Sequence, residues 1–499
     1  MTRFLTIAGM LLVLLPSAQP QSTGSDQTQD KSKGKTVPTA APHKASSAPA
    51  KKKTDPPNSE IGEPPTQLTT TQLPYPRLTG IWAKQPLPPS LSEKLNETLP
   101  SWLRFSGELR ERFEGYSGGG FKPHSTDDYD LHRLRLGMLI KPTSWVQFFM
   151  QMQDARVFGR EPALPNYQAT MQPREAYVLF GSPEGSGFSL KAGRQEIYFG
   201  NNRFLGYRWW TNVSRSYDGV RAAYQQGRFR VDAFAASVVI IRQGVIDHHN
   251  QGNNLYGLYG TYKDVIPHST LETFEFWHVQ PNTPIVGLTE KAGHLSQWTT
   301  GFRWVGALPL HFDYRTEMAY QLGTLTPDRI RAWTGHWALG YSLPDLSARP
   351  RIYLEYNYAS GSNNPASGVY GTFDPIYPST HDKLGLADQF GWRNIQDLHF
   401  GQEFHLARKW SLGTGEFDYW LANSHDALYT TGGSVIGRMA SGAPNTHVGE
   451  ELDVQLIYTP TRQTQVGAGY GRVLTGPFLN KTTRGVDYSY PYMLVEYVF

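Results

Sequence analysis

Residues 310–322, LHFDYRTEMAYQL, put Leu310, Phe312, Tyr314, Met318, Tyr320 and Leu322 on one alternation and His311, Asp313, Arg315, Glu317 and Gln321 on the other. Successive side chains of a β-strand point to opposite faces, so this stretch reads as a strand with one greasy and one charged face. The alternation recurs to the last residue. Strands are expected at 102–113, 130–140, 144–156, 173–180, 188–199, 217–226, 228–238, 254–262 and 270–279. The second half continues with 296–306, 310–322, 330–342, 351–359, 394–405, 410–421, 449–458, 463–473 and 487–499. Most of these eighteen stretches run ~9–13 residues, the length of a tilted strand that crosses a hydrocarbon layer.

The connections alternate in kind. SGGGFKPHSTDD is long and KPTS short; 157–172 is long and GSPEGSG short; 200–216 is long and QG a two-residue turn. ALP, LARK and TPTR are again short, against 360–393, 422–448 and 474–486. A soluble sandwich or propeller has no reason to sort its loops this way, whereas an outer-membrane barrel keeps turns on the periplasmic side and loops outside. The fold class expected is all-β: a transmembrane antiparallel up-and-down β-barrel of about eighteen strands. An even count leaves both termini in the periplasm. The mean hydropathy of −0.47 fits, because half of each strand faces a wet interior, and no apolar run approaches the ~18 residues of a membrane helix. The absence of cysteine is consistent with an exported protein built without disulfides.

Ahead of the strands, Arg3 precedes an apolar stretch from Phe4 to Leu15 and then small residues, the pattern of an export signal over 1–20. Residues 21–76 are rich in Lys, Pro, Ala and Ser and too polar to build a core, so they read as a disordered periplasmic linker. A short lead-in follows over 77–101, where SLSEKLNETLP suits a helix at the barrel mouth, and the barrel occupies 102–499. The chain ends YPYMLVEYVF, with Met493, Val495, Tyr497 and Phe499 on one face. This resembles the C-terminal strand that the barrel assembly machinery reads. Trp298, Trp304, Trp333, Trp337 and Tyr341 are expected to face lipid and form interfacial girdles.

Phasing each strand by its apolar face assigns the interior. WLRFSGELRERF sends Arg104, Ser106, Glu108, Arg110 and Arg112 inward; the second strand adds Arg133 and Arg135, the third Gln147, Gln151 and Gln153. Arg221, Arg230, Asp232, Arg303, Asp313, Arg315, Glu317, Arg351, Glu355, Asp397, Glu403, Glu451 and Asp453 follow. Arginine suits repeated carboxylate binding because its planar fork stays charged, and basic rings in a pore select anions. The same residues can instead neutralise acids across the wall. Arginines concentrate on the early strands and acids on the last, which predicts one basic and one mixed side.

REAYVLFGSPEGSGFSLKAGRQEIYFGNNRF, opening at Arg174 and containing Arg194, resembles the R-E-x-x-V strand, short turn and G-R-Q strand of the alginate export family. FDPIYPSTHDKLGLADQFGWRNIQDLHFG, from Phe373 to Gly401, resembles that family's long loop and following strand, and GEELDVQLIY, from Gly449 to Tyr458, its antepenultimate strand. The resemblance implies a monomeric outer-membrane channel that exports alginate, a polymer of uronic acids, through an arginine-lined constriction. It assigns Arg174 and Arg194 to the cargo's carboxylates. Periodicity places Arg194 on the lipid-facing parity of Leu190, which a β-bulge at Gly193 would reverse; Arg174 sits at a strand end. The linker is not part of the family pattern.

The expected function is passive, anion-selective passage of an acidic polysaccharide or another anionic solute, with a general porin for small anions or sugars as the alternative. No cofactor, metal or nucleic acid is expected. An enzyme would need nucleophile, base and orienter together. Ser424, His425 and Asp426 are adjacent in sequence and so point in different directions, while Asp247, His248 and His249 lack the further ligands of a metal site. A TonB-type plug is excluded by the low complexity of 22–76.

Overall fold

The computed structural model describes residues 91–160, 165–182, 186–281, 293–364, 366–407 and 409–499. The export signal, the linker and most of the lead-in lie outside the described residues. Eighteen long strands form in the expected order. They are β1 Leu103–Ser117, β2 Thr126–Thr143, β3 Val146–Phe158, β4 Ala169–Gly181, β5 Gly187–Gln195 and β6 Tyr217–Gln226. Next come β7 Phe229–Ile240, β8 His248–Lys263, β9 Ser269–Gln280, β10 Leu295–Ala307, β11 Phe312–Leu325 and β12 Asp328–Ser342. The last six are β13 Arg351–Ala359, β14 Ile395–Ala407, β15 Trp410–Leu421, β16 His447–Tyr458, β17 Thr464–Thr475 and β18 Tyr488–Val498. Each pairs antiparallel with the next, and β18 closes on β1 from Glu108↔Val498 to Ser117↔Ser489. A two-residue piece, Val369–Tyr370, runs parallel to the start of β12.

Alternation decides the two faces. On β1, Leu109 and Phe113 are exposed while Glu108, Arg110, Arg112 and Glu114 are buried inside. Outward aromatics stack across neighbouring strands, Trp277 on Trp298 at 5.1 Å and Trp333 on Tyr358 at 4.3 Å. Such cross-strand pairs hold adjacent strands in register and thicken the interfacial belt. The seam is closed by the last residue: Phe499 N–H donates to the Gly107 carbonyl at 2.9 Å, and Gly107 N–H donates back at 2.6 Å. Before β1, helix α1, Leu91–Thr98, is tied to the barrel by Asn96, whose side chain pairs with both backbone groups of Phe105 at 2.7 and 2.8 Å.

Several strand expectations change, among them β8, which begins at His248 rather than at 254. β11 begins at Phe312, because Pro309–His311 form a tight turn with Leu310 at φ 62°. β2 extends beyond 130–140, since Asp127, Asp128 and Asp130 obscure the alternation on a segment that still pairs with β1 as far as Thr126↔Ser117. β5 stops at Gln195, and the residues after it leave the wall.

Candidate functional site: two loops inside the barrel

Arg110, Arg112, Arg133 and Arg135 all face inward and all are buried. Glu108 lies between two of them, accepting from Arg133 Nε at 2.6 Å and Arg135 Nη1 at 3.0 Å. Their other donors reach the connection 196–216. Arg110 donates to the carbonyls of Trp209, Trp210 and Thr211 at 3.0, 3.2 and 3.1 Å. Arg133 donates to Trp209 and Thr211 at 3.3 and 3.1 Å, and Arg135 to Ser214 Oγ at 2.5 Å. Arg112 bonds the Trp210 carbonyl and lies 4.0 Å over that residue's ring. Carbonyls removed from water must find donors, and guanidinium carries five with no acceptor of its own. The basic patch therefore works as a clamp on a loop folded into the lumen.

A second connection, 360–394, meets the first. Gly206 N–H donates to the Tyr377 carbonyl at 2.8 Å, Tyr377 N–H to the Phe204 carbonyl at 3.0 Å, and Ser379 N–H to the Asn202 carbonyl at 2.9 Å. The wall holds this loop too. Gln321 on β11 pairs with both backbone groups of Asp374 at 2.6 and 2.9 Å. Asp453 and Glu451 on β16 accept from the N–H groups of Leu386 and Ala387 at 2.9 and 2.8 Å. Where the loops meet, Phe204, Phe373 and Trp392 pack ring to ring within 6 Å of one another. Glu317 and Gln321, expected beside water, are accordingly buried.

The remaining expected residues are held as follows. Arg104, at the chain entry, donates to Pro100 and Leu103 carbonyls at 2.7 and 2.6 Å. Arg221 and Arg230 share Asp232 at 2.8 and 2.7 Å, Arg303 pairs with Glu272, and Asp313 pairs with Arg351 at 2.7 Å. Arg315 sits on the inward parity opposite Ala338 and Val305. Glu355, Asp397 and Glu451 are buried on the later strands, which also carry Arg351.

The two family-motif arginines separate. The β3–β4 register shifts between Gln151↔Glu175 and Met152↔Pro173, so Arg174 is the extra residue of a bulge. It is buried and pairs with Glu196, with Glu175 at 3.8 Å. No bulge occurs at Gly193: β4–β5 and β5–β6 stay in register through Arg194. Arg194 thus keeps the outward parity of Leu190, and pairs with Asp218 at 2.8 and 3.0 Å and with the Asp247 carbonyl at 2.9 Å. Its expected place in the pore is corrected by that register.

Sequence phasing did not find the cations carried by the loops. Arg203 pairs with Glu355 at 2.6 Å, and Arg215 donates to the Tyr377 carbonyl at 2.6 Å. Arg208 is half-buried at φ 55°, and its N–H donates to Ser379 Oγ at 2.8 Å. Burial and then the Arg215 charge push its pKa down to about 10, so it stays cationic at neutral pH. Among the described residues its guanidinium has no ion pair or hydrogen bond; Asp388, which it feels, is bonded to His381 at 2.8 Å. A signal was present: NNRFLGYRWWTNV is too aromatic for a solvated loop. Ser424 Oγ lies 3.3 Å from His425 Nδ1, while Asp426 accepts from Ser362 N, Thr372 Oγ1 and Tyr429 Oη and, among the described residues, not from His425. Asp418, His447 and Glu450 approach one another, with His447 bonded to Asp418 at 2.8 Å.

The alginate export family matches residues 101–489. The chain belongs to that family. No curated protein matches the sequence. Among solved structures, this alginate-export barrel is similar to the outer membrane protein OpdK of Pseudomonas aeruginosa, at 12% identity and TM-score 0.55, covering 80% of this chain and 98% of that one. OccK11 (OpdR) of the same organism aligns at 11% identity and TM-score 0.52, over 80% and 96%. OpdK crystallised with vanillate aligns at 10% identity and TM-score 0.53, over 79% and 98%. At these identities the likeness shows the fold. Family and fold together make the protein an outer-membrane barrel of the passive channel class.

Proposed function

We propose that the barrel conducts anions selectively, as a single unit, and that its cargo is an acidic polysaccharide of the alginate kind or a smaller carboxylate. The observation that carries this reading is Arg208, a cation on the inward loop with donors left over after the wall arginines have bound backbone and carboxylates. A guanidinium in that position offers a passing carboxylate two parallel hydrogen bonds. A small carboxylate as cargo is a second reading. It is favoured by the two loops that occupy the lumen and by the similarity to a barrel crystallised with vanillate. The C-terminal strand ending in Phe499 would serve barrel assembly.

The test is the reversal potential of the purified protein in a planar bilayer under a KCl gradient, with oligouronate and then vanillate added. Anion preference that Arg208→Gln weakens several-fold supports the reading. Block by oligouronate assigns the polymer, and block by vanillate alone assigns the small solute. Cation preference overturns it.

A further inference from the structure

The outward wall of β8–β12 is dented. Gly260 and Thr300 present little side chain among bulky neighbours, leaving a groove of about 900 Å³ walled by Leu258, Met318, Tyr320 and Trp333. It follows one row of cross-strand partners, Leu258↔Glu275↔Thr300↔Tyr320↔Trp333. Four inter-strand steps of about 4.8 Å make the row about 19 Å long, the reach of an acyl chain.

Above its upper end, on the same face of β12, stand Arg331 and Arg329, two and four residues from Trp333. Both are exposed, and among the described residues neither side chain makes an ion pair or hydrogen bond. They stand at the rim on the loop side: β10 and β11 join at the short ALP turn, so β11 and β12 join at the opposite rim, through Thr326 and Pro327 beside the pair Leu325↔Asp328. An outward arginine near the interface costs about 0–1 kcal/mol, so the position is tolerated, and its planar fork matches phosphate oxygens.

We propose that this face binds one phosphate-bearing, acylated glycolipid of the outer leaflet, with its phosphate on Arg329 and Arg331 and one chain along the groove. Dispersion contacts along a fitted groove supply the preference of such a chain over bulk lipid, since both surroundings are apolar. Glu275, second in the row beside Leu258, has a carboxylate that a plain hydrocarbon leaves unpaired and a hydroxylated chain satisfies. The site lies outside the barrel and is independent of the channel's cargo.

The experiment titrates the detergent-solubilised full chain with diphosphoryl lipid A, with its dephosphorylated derivative and with inorganic phosphate, following tryptophan fluorescence. Saturable binding of the phosphorylated lipid is expected, at least tenfold tighter than either comparison ligand. Arg329→Gln with Arg331→Gln, and separately the groove-filling Thr300→Phe, should each weaken it at least tenfold. Single-channel conductance should not change, which verifies folding. Non-saturable uptake, or equal affinity in the double variant, overturns the proposal. Binding of inorganic phosphate as tight as the lipid leaves the groove no role and overturns it too.

Discussion

Arg110 and Trp209 lie 99 positions apart in sequence, and inside the barrel the guanidinium of one donates to the carbonyl of the other at 3.0 Å. The same side chain also serves the two carbonyls that follow. Wall and loop are therefore one unit: the arginines best placed to meet an anion are already occupied by backbone. On the reading proposed above, selectivity rests on what the loop itself presents, and Arg208 is its candidate contact for cargo.

Truncating the clamp should widen the pore. Arg110→Ala takes one of two arginine donors from each of the Trp209, Trp210 and Thr211 carbonyls, which Arg133 and Arg112 still serve, at about 0.5–1.5 kcal/mol for each bond lost. The expected outcome is a larger and noisier single-channel conductance in planar bilayers. Conductance equal to wild type would mean that Arg112, Arg133 and the aromatic packing seat the loop without it.

Glu108 has the opposite role. It is the carboxylate between Arg133 and Arg135, and Glu108→Gln leaves Arg133 with only the longer pair to Glu496 at 3.7 Å and takes from Arg135 its carboxylate in a buried place. Breaking a buried pair from one side costs about 3–5 kcal/mol. The folded, fast-migrating band on unheated gels should convert to the slow form at a markedly lower temperature. A conversion temperature within a degree or two of wild type would place water beside the pair.

Arg174 and Arg194 should behave differently although one motif contains both. Arg194→Gln removes an outward pair with Asp218 and should leave the reversal potential unchanged. Arg174→Gln removes an inward cation at a bulge beside Glu175 and Glu196, and should shift selectivity toward cations. Equal shifts in the two variants would contradict the register around Gly193.

The wall was legible because a membrane imposes it: each strand must alternate, and the turns must sort by side. Strand order and the inward or outward parity along each strand follow from period two. What period two does not carry is where a loop goes. Residues 196–216 and 360–394 lack any repeat, and their contacts with Arg110, Gln321 and Glu451 join positions far apart in the chain. Composition held the remaining clue, in the run of aromatic residues from Phe204 to Trp210. The bulge at Arg174 was equally hidden, because one extra residue inverts parity locally and leaves the pattern on either side intact.

The second loop offers a test that needs no electrical recording. Glu451 and Asp453 reach from β16 to the amides of Ala387 and Leu386, two hydrogen bonds on adjacent residues. Glu451→Gln with Asp453→Asn keeps the shape and an acceptor at each position but removes the hydrogen bonding between the two carboxyls that aims them at the loop, weakening the pair by about 1 kcal/mol in sum. Amide hydrogen exchange at Leu386 and Ala387 should then speed up roughly fivefold, with the strand amides of β16 unchanged. If exchange at the two amides stays at the wild-type rate, the loop is held by its rings instead. Phe390 against Tyr419, 4.9 Å between centroids, would then be the contact to remove, and Phe390→Ala should release the segment.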